Sequence, residues 1–61
     1  MNKMKRNRNE KNISMLNLSR TTGISERYLY FIEKGEKKPS MKTAATIAKA
    51  LNSTVDEIFL S

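Results

Sequence analysis

Sixty-one residues without a cysteine or a histidine exclude a disulfide staple and leave a structural zinc site without its usual ligands. A chain this short is expected to be one small domain, residues 1–61, that buries only about 60% of its unfolded surface. Twelve Lys and Arg against six Asp and Glu give a net charge of +6, and no apolar run is longer than Tyr28–Ile32, far short of a membrane span.

The charge is uneven. Residues 1–42 hold eleven bases and four acids, a net +7, whereas residues 43–61 hold Lys49 against Asp56 and Glu57, a net −1. Such a balance suits one face for a polyanion and another for something else, or simply a solvated surface. The Met1–Asn12 segment is basic and polar with no apolar stretch behind it, unlike a signal peptide. The lack of cysteine fits a reducing cytosol.

No segment alternates apolar and polar residues, and no Asn-Gly or Asp-Gly turn occurs, so strands are not expected. The first predicted helix, 2–10, has only Met1 and Met4 as apolar residues and carries the poor helix formers Asn7 and Asn9. It either frays or is held by one specific contact. Ser14 can cap a second helix, 15–21, and Ser25 a third, 26–34. Ser40, after Pro39, precedes a fourth, 41–51, in which Ala44, Ile47, Ala48 and Leu51 fall at i, i+3, i+4 and i+7. Thr54-Val-Asp-Glu57 has capping-box spacing at the start of a fifth, 55–60. None of these short helices persists alone in water, so packing must hold them. The predicted core is Met4, Ile13, Leu16, Leu18, Ile24, Leu29, Ile32, Ala44, Ile47, Ala48, Leu51, Val55, Ile58 and part of Phe59.

Between the second and third helices lies Thr21-Thr-Gly-Ile-Ser25. Gly23 lets the chain leave a helix at positive φ, Ile24 tucks inward, and Ser25 restarts a helix. A helix, a short turn with glycine and a second helix describe a helix-turn-helix, here about 15–34. Leu18 five residues before the glycine, small Ser19 after it, and Leu29 and Ile32 turned inward agree with that arrangement.

From about Met4 to Phe59 the chain resembles the Cro/cI-type phage repressor group, the Xre family of bacterial helix-turn-helix regulators. The matching residues are Arg8, Ile13-Ser14, Leu18, Gly23-Ile-Ser25, Leu29, Ile32-Glu33-Lys-Gly35, Pro39-Ser40, Ile47-Ala48-Lys-Ala-Leu51 and Thr54-Val-Asp-Glu-Ile58. The resemblance implies an all-α, five-helix, lambda-repressor-like DNA-binding domain. It also implies an ion pair between Arg8 and Glu33 that ties the first helix to the third; otherwise both side chains are solvated. The chain departs from the family pattern where glycine is often Asn12, where a phosphate-fixing glutamine is Met15, and where a leucine-like residue is Asn7.

With Leu29 and Ile32 inward, a rotation of about 100° per residue puts Arg27, Phe31 and Lys34 on the outer side of the third helix and Tyr28 and Tyr30 on its flanks. On that reading Arg27 suits bidentate contact to guanine, and Glu26 favours the helix dipole or accepts from a cytosine amine. Phe31 either meets a thymine methyl or folds back on the domain. Tyr28 and Tyr30 either pack or reach phosphates. Ser14, Ser25, Lys34, Lys37 and Lys38 are further candidates for phosphate contact, within a patch that includes Lys5, Arg6 and Lys42. Val55, Ile58, Phe59 and Leu60, within 55–61, are the candidate dimer surface, because so short a helix cannot bury both Phe59 and Leu60.

The expected function is sequence-specific binding of double-stranded DNA as a transcriptional regulator of repressor type, a homodimer on an inverted repeat in a bacterial or phage cytoplasm. The alternative is an antitoxin-like module that covers a protein partner with Tyr28, Tyr30 and Phe31 and binds DNA secondarily. No catalytic set, cofactor, metal, membrane or small-molecule ligand is expected. RNA binding fits the charge alone, since no aromatic-bearing sheet is expected for stacking single-stranded bases.

Overall fold

The computed structural model describes residues 2–60, and shows helices α1 (Met4–Glu10), α2 (Met15–Thr22), α3 (Glu26–Glu33) and α4 (Met41–Ala50). A single π-type turn, α5 (Asp56–Leu60), follows them. No strand occurs among the described residues. Met1, counted among the apolar residues of the first helix, and Ser61, expected in the dimer segment, lie outside them.

Local side chains start the helices. Ser14 Oγ accepts from Asn17 N (3.0 Å), Ser25 Oγ from Tyr28 N (3.1 Å), Ser40 Oγ from Thr43 N (3.2 Å) and Thr54 Oγ1 from Glu57 N (3.1 Å). Each satisfies a backbone donor that the first helical turn leaves open. The Glu57 carboxylate accepts from Ser53 Oγ at 2.8 Å.

Left-handed residues stop them. Gly23 (φ 75°) ends α2 and donates to Ser19 O at 2.8 Å. Gly35 (φ 82°) ends α3, with Gly35 N on Ile32 O (3.0 Å) and Glu36 N on Phe31 O (2.9 Å), the paired bonds of a Schellman motif. The same pair closes α1 at Asn12 (φ 56°) and α4 at Asn52 (φ 53°). Asparagine therefore takes the conformation at position 12 that glycine was expected to supply, since its side chain tolerates the left-handed region better than most.

Met4, Leu18, Leu29, Ile32, Ile47, Leu51 and Ile58 are fully enclosed, with Met15, Ala44 and Ala48 close behind. α2 packs on both α3 and α4, and α1 packs on α5. Each enclosed aliphatic side chain contributes about 1.5–3 kcal/mol relative to exposure. Ile13, Ile24, Val55 and Phe59 pack on the edge of this core, half-buried.

Two expectations are overturned here. Leu16 was assigned to the core, but it is 48% exposed and Met15 is buried in its place. With Leu18 inward, the residue three positions before it shares its face, and the residue two before does not. Ile58 was also assigned to the dimer surface; it is wholly enclosed in the domain core and cannot meet a second chain while the domain is folded.

The first helix is held by more than one contact. Asn2 Nδ2 donates to Ile32 O (2.8 Å), and Asn2 Oδ1 accepts from Met4 N (3.0 Å). Lys3 N donates to Ile58 O (2.9 Å). Lys11 Nζ donates to Leu51 O and to Asn52 O (3.1 Å), placing a cation on the carbonyl end of α4. Asn7, where the family favours an apolar residue, reaches Ser53 Oγ at 3.4 Å and leaves its own Oδ1 buried without a partner among the described residues.

Candidate nucleic-acid interface

The α2–α3 corner is closed by side chains as well as by Gly23. Ser19 Oγ donates to Ile24 O (2.6 Å), and Thr22 Oγ1 accepts from Ile24 N (3.2 Å) while donating to Leu18 O (2.8 Å). The half-buried Ile24 pins the turn to the core. These bonds fix the direction in which α3 leaves the corner, and α3 carries the candidate base-reading residues.

Leu29 and Ile32 are fully buried, so α3 is clamped along one side. Its opposite edge carries exposed Arg27 and half-buried Phe31. One helical turn separates them, and the Arg27 guanidinium carbon lies over the Phe31 ring, 5.9 Å from its centroid. Tyr28 and Tyr30 flank this edge, 36% and 48% exposed, and Glu26 is half-buried in the first turn. Ser14 and Ser25 are exposed at the starts of α2 and α3, each with its oxygen engaged as a cap.

Lys34, Lys37, Lys38 and Lys42 are exposed between the end of α3 and the first turn of α4. Their charges lie beside the exposed edge of α3 in sequence, with Glu36 the only acid among residues 34–42. Lys5 and Arg6 are exposed on α1, and Arg6 pairs with Glu10 at 3.5 Å on the surface, an i,i+4 contact of small energy. Met15 is turned inward, and a thioether has no N–H or O–H to give a phosphate.

Behind this edge, the structure brings Arg8 and Glu33 together. Arg8 Nη2 lies 3.0 Å from Glu33 Oε1 and 3.5 Å from Oε2, while Nη1 donates to Ile13 O at 3.0 Å. Both side chains are about nine-tenths enclosed, and Arg8 Nε is buried without a partner among the described residues. The pair joins the last turn of α1 to the final residue of α3. Among the described residues no three of His, Cys, Asp or Glu converge where a metal ion could sit. Among the described residues no helix is long and apolar enough to cross a membrane.

The helix-turn-helix family matches the sequence over residues 4–58. The chain belongs to the helix-turn-helix family of transcriptional regulators. An uncharacterised HTH-type transcriptional regulator of Methanocaldococcus jannaschii is 36% identical over 59 residues, 97% of this chain and 89% of that protein. Another, from Archaeoglobus fulgidus, is 33% identical over 49 residues, 80% of this chain and 69% of that protein. Both relatives are archaeal, so the likeness reaches beyond the bacterial and phage setting expected from the sequence. This regulator therefore has the all-α, lambda-repressor-like fold and is of the DNA-binding kind.

Lys11, Asn2 and the Met15 side of α2 are not among the residues expected from the sequence. Spacing from Leu18 was enough to place Met15; nothing local marks Lys11, whose carbonyl acceptors lie about forty residues away in the chain.

Proposed function

We propose that this regulator binds a specific sequence of double-stranded DNA as a homodimer on an inverted repeat, represses by occupying that site, and has no catalytic activity. The observation that carries the reading is the outer edge of α3: exposed Arg27 and half-buried Phe31 share one edge of a helix whose other side is locked into the core. Such a helix can enter a major groove without rearranging. Glu26, Arg27 and Phe31 read base edges. Ser14, Ser25, Tyr28, Tyr30, Lys34, Lys37 and Lys38 hold the phosphates on either side. Arg8 and Glu33 act behind them, as the structural brace of α3.

The dimer surface is Val55, Phe59 and Leu60, without Ile58. They line a groove of about 350 Å³ together with Met41, Lys37 and Lys38. Leu60 and Met41 are 67% and 68% exposed, an apolar pair that a second copy would cover. On an inverted repeat, half-sites one helical turn of DNA apart require the two α3 helices roughly 34 Å from each other. The regulator acts in the cytoplasm, where its DNA is.

Selection of bound duplexes from a random pool tests the reading. The expected product is an inverted repeat that the Arg27→Ala/Phe31→Ala double variant no longer distinguishes from scrambled duplex. Undiminished discrimination by that variant would overturn it. Tight co-purification with another protein through Tyr28, Tyr30 and Phe31, with no preferred duplex, would favour the antitoxin-like module instead.

A further inference from the structure

We propose that Arg27 and Phe31 work as one reading unit, specific for a guanine and a C5-methylated pyrimidine no more than two base pairs apart. The proposal rests on the reading of α3 as the base-contacting helix and adds what that helix recognises. The Arg27 guanidinium carbon sits over the Phe31 ring, 5.9 Å from its centroid, one turn along the same helix edge. No carboxylate among the described residues pairs with Arg27. The ring thus holds the guanidinium through its π-face, and an aromatic ring offers no competing hydrogen bond. A guanidinium held in this way keeps its N–H fork for an outside acceptor, and the O6 and N7 of guanine match that fork.

Phe31 has no donor or acceptor. In the major groove the one base feature it can distinguish is an apolar methyl group, present at C5 of thymine and of 5-methylcytosine and absent from cytosine and uracil. Arg27 and Phe31 are four residues, about 6 Å of rise, apart along α3, fewer than two base-pair steps of about 3.4 Å, so the two bases lie no more than two base pairs apart. Because each side chain orients the other, their contributions to binding are not independent.

The test uses the full chain and the duplex recovered from random selection, read by fluorescence anisotropy. Each thymine is replaced in turn by deoxyuridine, which removes only the methyl. One thymine per half-site, within two base pairs of a guanine, is expected to lose about fourfold in affinity. Replacing that thymine–adenine pair by 5-methylcytosine–guanine is expected to bind more tightly than replacing it by cytosine–guanine, which shows that either source of the methyl serves. Phe31→Ala is expected to bind the thymine and deoxyuridine duplexes equally. The combined loss in Arg27→Ala/Phe31→Ala is expected to fall short of the product of the single losses by about two- to fivefold. Circular dichroism of each variant checks the fold, which neither exposed nor half-buried side chain anchors. Equal binding of deoxyuridine and thymine at every position of a preferred duplex overturns the paired reader and leaves the DNA-binding reading standing. Failure to recover any preferred duplex overturns both.

Discussion

Arg8 of α1 reaches Glu33 at the end of α3, 3.0 Å from Nη2 to Oε1, and both side chains are about nine-tenths enclosed. Neither charge has water to fall back on. A buried ion pair adds little net stability over an apolar pair, but removing one partner strands the other at a cost of about 3–5 kcal/mol. Arg8→Ala also deprives Ile13 O of its donor. The melting temperature is expected to fall by at least about 10 °C, given about 4–8 °C per kcal/mol in a domain of this size. An Arg8→Met/Glu33→Met variant is expected to melt above the single variant. Base preference of whatever protein remains folded is expected to be unchanged. Equal melting of wild type and Arg8→Ala would refute the account.

Asn12 and Asn52 hold the left-handed exits of α1 and α4. Glycine takes that conformation with no Cβ penalty, so Asn12→Gly and Asn52→Gly are each expected to stabilise by about 0.5–1 kcal/mol. The β-branched Asn52→Val is expected to destabilise by about 1–2 kcal/mol. Urea titration with an unchanged slope reads both effects.

Met15 and Leu16 are neighbours with opposite fates. Met15→Ala removes a buried side chain and is expected to cost about 2–5 kcal/mol. Leu16→Ala, on the exposed side, is expected to stay within about 0.5 kcal/mol. The reverse order in thermal denaturation would contradict the packing of α2.

Lys37 and Lys38 lie in the loop between α3 and α4. If each meets a phosphate, Lys37→Ala and Lys38→Ala each weaken preferred and scrambled duplex alike. Each also flattens the slope of log affinity against log salt by about 0.9. A loss confined to the preferred duplex would move them from backbone to base contact.

Leu60 is 67% exposed beside the groove that it shares with Met41 and Phe59. Leu60→Asp puts a charge at the proposed dimer seam without touching the core residue Ile58. Sedimentation is expected to show a shift from dimer to monomer with melting of the dilute protein unchanged. An unaltered dimer would place the seam elsewhere.

The helix starts were legible because a cap spans three residues. Ser14, Ser25, Ser40 and Thr54 each bond a backbone N–H three positions on, and no distant residue takes part. The Gly23 turn was legible for the same reason. Leu16 was assigned to the core and Met15 was not, although the phase was available in the spacing: three positions before Leu18 share its face and two do not. Asn12 was read as a departure from glycine, and only its φ of 56° shows that the turn survives the exchange.

What the amino-acid order determined by itself was the set of helices, the corner between α2 and α3, and the outward edge led by Arg27 and Phe31, all consequences of bonds and periodicities within one or two turns. What only the tertiary structure decided was how α1 is held beyond its Arg8–Glu33 pair. Asn2 bonds Ile32, Lys11 bonds Leu51 and Asn52, and Lys3 bonds Ile58, across 30 to 55 positions of chain. Those acceptors are backbone carbonyls, which every residue carries alike, so nothing in the residue types marks them. Chain packing alone brings each donor to its carbonyl, and the same packing encloses Ile58 while leaving Leu60 in water.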